Sequence, residues 1–254
     1  MIAVLEADTR RLLTASTDYW SQARRPLVSL FFVLPMLVCY ELGVLWLGTG
    51  AMRNGADIWL QQFLTAAGIS GFLLLPVLTV TILLAWHHTT GQPWRVSGMV
   101  LYAMAAESAL FAFLLLAIAC LQSNVLSIVG VIEPCQLPGA EVARDAFGRM
   151  VRYFGAGIYE ELLFRLLLVP ATMAAIGLAF ASRRVKIAGA LLLTSLIFSA
   201  AHYVGPHGDA FAWHSFSFRF LAGALFAGLF VYRGFGIAAG THALYDVLVG
   251  FPSP

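Results

Sequence analysis

Tyr159-Glu160-Glu161-Leu162-Leu163-Phe164-Arg165 sits inside residues 153–178, a stretch otherwise apolar enough to cross a bilayer. A spanning helix takes about 20 predominantly apolar residues. An ionisable group at its depth costs several kcal/mol, roughly 2.5–3.5 for the charged types on insertion scales. Such groups therefore face a protein interior or a water-filled cavity rather than lipid. The anomaly recurs downstream. His202 ends the run Leu-Ile-Phe-Ser-Ala-Ala-His, and His242 lies in Thr-His-Ala-Leu-Tyr-Asp. Together these residues read as an active site inside a bundle of membrane helices.

The composition agrees. Of 254 residues, 60% are hydrophobic and 11% charged, and the mean hydropathy is +0.84. Soluble domains are nearer a quarter charged. The expected fold is an all-α, polytopic membrane bundle of about seven spans, near 26–48, 63–86, 98–121, 153–178, 187–204, 216–232 and 235–251. No internal repeat or linker divides it, so residues 1–254 read as one integral-membrane domain with a catalytic core over 150–250. A net charge of +2 gives no reason to expect nucleic acid as a partner. Cys39, Cys120 and Cys135 lack the spacing of a zinc knuckle or a disulfide framework.

Residues 1–25 carry Arg10, Arg11, Arg24 and Arg25 without the apolar core and cleavage site of a signal peptide. They are expected to form a cytoplasmic interfacial segment. Residues 122–150 are the longest polar interval and are expected to include a surface helix. With the N-terminus inside, nine of the 15 Lys and Arg residues fall on the inner side and four on the outer, while Arg165 and Arg219 lie within spans. That bias favours a cytoplasmic N-terminus. Gly236 and Gly240 form a GxxxG that lets helices approach closely.

Glu161 and Arg165 are four apart, on one helical face, with the glutamate on the favoured N-terminal side. They read as an intrahelical ion pair. Glu160 points about 100° away on an α-helix and has no arginine three or four residues off, so its partner must come from another helix. An acid so placed suits a general base. His202, with Phe198 one turn before it, and His242, with Asp246 one turn after it, are its obvious partners. Glu160 and His202 would hold and deprotonate a water, and His242 with residue 246 would stabilise an oxyanion.

Glu-Glu-x-x-x-Arg at 160–165, Phe-x-x-x-His at 198–202 and His-x-x-x-Asp at 242–246 follow one another on successive apolar helices. In this the chain resembles the CAAX-protease and bacteriocin-processing family, the Rce1-like or Abi intramembrane glutamic proteases. The resemblance covers about 150–250. It implies a peptide hydrolase in which Glu160 is the general base assisted by His202, His242 helps form the oxyanion hole with residue 246, and Glu161, Arg165 and Phe198 support. It implies no cofactor and no metal. Eukaryotic prenyl-protein members carry asparagine where this chain has Asp246, and an ionised aspartate accepts hydrogen bonds but cannot donate them. Asp246 therefore either stays protonated or orients His242.

Three other readings compete: a zinc metalloprotease, for which the His-Glu-x-x-His helix is missing; a non-catalytic scaffold or immunity protein of the same fold; and a proton-coupled transporter. The expected partners are the lipid bilayer and a membrane-anchored or exported peptide or protein. A bacterial inner membrane is the expected location. Glu41 and Glu107, also at membrane depth, are expected to line the same cavity or to pair with Arg219. His87, His88, His207 and His214 are expected at solvated span ends.

Overall fold

The computed structural model of the chain describes residues 18–48, 53–128, 146–205 and 208–250, and among these the regular structure is entirely helical. Eight helices follow one another: α1 Pro26–Leu47, α2 Gly55–Ala66, α3 Leu74–Thr90, α4 Gly98–Ile128, α5 Ala146–Ala179, α6 Arg183–Ala201, α7 Trp213–Arg233 and α8 Phe235–Gly250. A further short helical piece covers 18–23. The expected interfacial segment lies outside the described residues over 1–17, as does the polar interval over 129–145 with Glu133, Glu141, Arg144 and Asp145. The same holds for Cys135 and His207.

Five of these helices are long and apolar enough to cross a membrane: α1, α4 (over Gly98–Val125), α5, α6 and α7. The expected count of seven spans is thus not confirmed among the described residues. The stretch expected as a span over 63–86 is broken into α2 and α3, with Gly68 in the left-handed region at φ 83° between them. Hydropathy averaging passes over Gly68 and Gly71 because both are small and weakly apolar, yet a left-handed residue ends a helix. The apolar α3 has 17 residues and α8 has 16. At 1.5 Å per residue each measures about 25 Å, short of the roughly 30 Å hydrocarbon core.

The short α8 is the axis of the bundle. Every residue from Phe235 to Ala243 is buried, and α1, α4, α5 and α7 all pack on it. The expected close approach of the GxxxG is present. A Cβ on Gly236 would fall 2.7 Å from Met104 of α4 and 3.0 Å from the Ser29 backbone of α1. One on Gly240 would meet Phe32 at 2.6 Å and Ser108 at 2.7 Å. Ser29 seals the contact by accepting from the Gly236 amide at 3.0 Å through Oγ. The other flank of α8 meets α5 at Gly157, where a Cβ would lie 2.7 Å from the Ala239 carbonyl and from the Ala243 side chain. Small residues on two helices therefore bring α5 and α8 almost backbone to backbone, at the level of His242.

Candidate active site

The glutamate-bearing part of α5 departs from ordinary helix. Ala156–Glu160 and Leu162–Leu167 are π-helical, joined through Glu161. A π-turn holds an extra residue and recurs at functional sites. Pro170, just beyond, has no N–H to offer the carbonyl four residues back and crowds it, which favours such a distortion. The wider turn has a direct consequence. Glu160 and Glu161, expected to diverge by a full α-helical step, both reach His242.

They reach it from different sides. Glu161 Oε1 lies 2.7 Å from His242 Nδ1 and 3.0 Å from Arg165 Nη1. A carboxylate only accepts, so Nδ1 carries the proton and donates it. The expected Glu161–Arg165 pair is present, and the structure adds a second role. Arg165 and Glu161 together orient the imidazole of His242. Glu160 Oε2 faces the opposite ring nitrogen, Nε2, at 3.8 Å, and His202 Nε2 at 3.9 Å. Asp246 Oδ2 stands 3.7 Å from His242 Nε2. These three separations are too long for hydrogen bonds. Oε2 of Glu160 has no hydrogen-bond partner among the described residues.

His202 sits at the C-terminal end of α6, and its Nδ1 is 2.8 Å from the Phe198 carbonyl oxygen. A carbonyl also only accepts, so the proton is on Nδ1 and, in the neutral ring, Nε2 presents its lone pair to Glu160. Phe198 packs edge-on against His202 with ring centroids 4.8 Å apart, and the Arg165 guanidinium lies 4.2 Å above its face. Phe226 of α7 stacks on His242 at 4.5 Å with the rings 13° from parallel. Phe226 was not legible as a site residue, because a phenylalanine in an apolar helix carries no chemical mark.

A cavity of about 480 Å³ ends on this cluster, lined among others by Arg53, Asn54, Trp59, Arg152, Glu160, Phe164 and His202. The side chains grade from it inward: His202 is 26% exposed and Glu160 12%, while Glu161 and Arg165 are at 0% and 1%. The cavity thus reaches the unpartnered carboxylate and stops short of the paired one. Its lining comes from the start of α2, from α5 and from the segment that follows α6. Asn54, which the sequence gave no reason to single out, donates from Nδ2 to Glu160 Oε1 at 2.9 Å.

The remaining ionisable groups take other partners than expected. Glu41 accepts from the Tyr159 hydroxyl at 2.5 Å. Glu107 pairs with Arg233 and accepts from Tyr19, and Arg219 pairs with Asp209 instead. Neither Glu41 nor Glu107 lines the cavity described above. His87 is fully buried at the end of α3, edge-on to Trp94 at 4.7 Å, so interfacial solvation does not account for it. His88 and His214 are exposed as expected. Among the described residues, no group of three or more His, Cys, Asp or Glu side chains is arranged to hold a metal ion.

Comparison with known proteins adds one result. Residues 144–248 match the model of the family described as Type II CAAX prenyl endopeptidase Rce1-like. That range contains all three sequence motifs and every residue of the Glu160–His202–His242 cluster. The matched family is one of CAAX prenyl endopeptidases, and the match spans less than half of the chain. No curated protein and no solved structure matches the chain.

Proposed function

We propose that the protein is an intramembrane endopeptidase of the glutamic type, in which Glu160 and His202 activate a water molecule. The observation that carries the reading is the unpartnered Oε2 of Glu160, facing two imidazole Nε2 atoms at 3.8 and 3.9 Å at the end of a cavity. Gaps of this size between polar atoms are those a bridging water spans.

The tautomers fix how that water is held. Glu160 Oε2 and His202 Nε2 are both acceptors, so a water between them gives one O–H to each and turns a lone pair outward, towards a substrate carbonyl in the cavity. As its oxygen bonds to the carbonyl carbon, Glu160 takes the proton. His242, its Nδ1–H held by Glu161, donates from Nε2–H to the developing oxyanion when the ring is doubly protonated. The carboxylates of Glu160, Glu161 and Asp246 supply the negative surroundings that such a cation needs. Collapse of the tetrahedral intermediate breaks the C–N bond, and the proton on Glu160 leaves with the amine. Asp246 thus serves by its charge beside His242 and not as a donor. No cofactor or metal enters any step.

The family match over 144–248 supports the protease class and a membrane-associated substrate. In this reading the N-terminus is cytoplasmic and the membrane is a bacterial inner membrane. The Lys and Arg bias then puts the Arg53–Ile58 part of the cavity lining, which follows α1 in the chain, away from the cytoplasm, which suits anchored or exported substrates. The test uses purified protein in proteoliposomes. It is incubated with CAAX peptides, prenylated and not, and with leader peptides of exported proteins, and the products are read by mass spectrometry. A defined cut made by the wild type and lost in Glu160→Gln is the expected result. Cleavage that persists in Glu160→Gln would remove the glutamate mechanism.

A further inference from the structure

Asn54 reaches Glu160 from 106 positions away in the chain, at the N-terminal cap of the short helix α2 beside the cavity. Its side chain is spoken for at both ends. Oδ1 accepts from the Ala56 amide at 2.9 Å and so caps the N-terminus of α2, while Nδ2 donates to Glu160 Oε1 at 2.9 Å. The cap fixes which end of the amide faces the carboxylate, because a backbone N–H calls for the oxygen and leaves the NH₂ for Glu160. The helix it caps is itself anchored. One turn on, Asp57 accepts from Tyr40 at 2.5 Å, from Arg53 at 2.8 Å and from Gln61 at 2.6 Å, and it is wholly buried. Tyr40 in turn packs edge-on to Tyr159, the residue before Glu160, at 5.4 Å.

We infer that Asn54 is the positioning residue of the general base: it pins Oε1 of Glu160 so that Oε2 alone is presented to the water and the two histidines. The inference rests on the proposed protease reading. A carboxylate free to rotate about its last torsion would exchange its oxygens and spend part of its time turned from His202. A single donor on one oxygen, mounted on a helix cap, removes that freedom. The same placement makes α2 a wall of the active site and not a piece of a span, since Trp59 and Ile58 of α2 line the cavity beside it.

Capping and positioning separate cleanly by substitution. Asparagine, aspartate and serine cap helices about equally well, so Asn54→Ser and Asn54→Asp both keep α2 capped and the protein folded. Neither presents the amide donor to Glu160, and aspartate sets a second carboxylate against it. In proteoliposomes with a cleaved peptide, the expected result is a kcat lowered roughly ten-fold in Asn54→Ser at unchanged KM, and lowered further in Asn54→Asp. Melting temperatures should stay near that of the wild type. Wild-type kcat in both variants, or equal losses that track a fall in melting temperature, overturns the inference and leaves Asn54 a helix cap. A second measurement needs no substrate. The antisymmetric carboxylate stretch lost in Glu160→Gln identifies the Glu160 band in infrared difference spectra. That band should shift in Asn54→Ser, and an unshifted band overturns the inference. If the wild type cleaves nothing, the protease reading fails and the infrared result still decides the Asn54 contact.

Discussion

Glu107 and Glu160 are both glutamates set in apolar helices beside arginine and aromatic rings, and they are treated in opposite ways. Glu107 of α4 has both oxygens engaged. Arg233 grips it through Nε at 2.5 Å and Nη2 at 2.6 Å, and Tyr19 donates to it as well. Burial, then the Glu107 carboxylate, pushes the Tyr19 phenol above its ordinary pKa, so it stays a donor. Trp20 covers the Arg233 guanidinium at 3.6 Å. Glu160 has one oxygen held by Asn54 and the other left without a partner, facing a cavity. A buried polar group left unmade is costly. Glu107 is satisfied on both oxygens. The open oxygen of Glu160 lies where a substrate and a water can use it, unlike the open oxygens of Glu41 and Glu161, which do not line the cavity.

The sharpest way to break this comparison is at Glu160. Glu160→Gln preserves shape and removes only the base, so peptide cleavage should fall by on the order of 10² to 10⁴ in kcat, with the melting temperature unchanged. A variant that keeps more than a few per cent of the rate returns Glu160 to the structural class of Glu107.

Arg165 tests the paired half of the same site. Arg165→Ala leaves Glu161 buried at 0% exposure without its cation, a loss of roughly 3–5 kcal/mol for a broken buried pair. Thermal unfolding in detergent should register it as a large drop in melting temperature, together with reduced activity because His242 loses its anchor. Full stability with no activity would mean that Arg165 acts on the substrate and not on the fold.

Arg233 should behave as stability alone. Arg233→Ala removes charge-assisted bonds of about 1.5–3 kcal/mol, less than at Arg165 because Glu107 keeps 15% exposure and the Tyr19 bond. The melting temperature should fall, while the cleavage rate per folded molecule, measured with an equal amount of monodisperse protein, stays at the wild-type value. A specific loss of rate would couple the far end of α7 to the site.

The smallest effect expected is from chelation. Treatment with phenanthroline or EDTA should leave cleavage unchanged, and elemental analysis should find no stoichiometric zinc. One zinc per chain, lost together with activity, would replace the glutamate mechanism with a metal-dependent one.

The sequence by itself determined what depends on neighbours along one helix. Apolar length marks α1, α4, α5, α6 and α7 as spans. The four-residue spacing gives the Glu161–Arg165 pair, the edge-on Phe198–His202 contact and the nearness of His242 to Asp246, because 100° and 1.5 Å per residue carry the fourth residue back to the same face. The GxxxG foretold a close approach at α8. What joins one helix to another was decided only in three dimensions. Asn54 on Glu160, Phe226 on His242, Glu107 with Arg233 and Glu41 with Tyr159 depend on the register in which separate helices dock, and no periodicity encodes that. The π-turns that bring Glu160 and Glu161 to the same histidine belong here too. They trade regular α-helical hydrogen bonding for packing against α8, where Gly157 admits the neighbouring backbone to within contact distance.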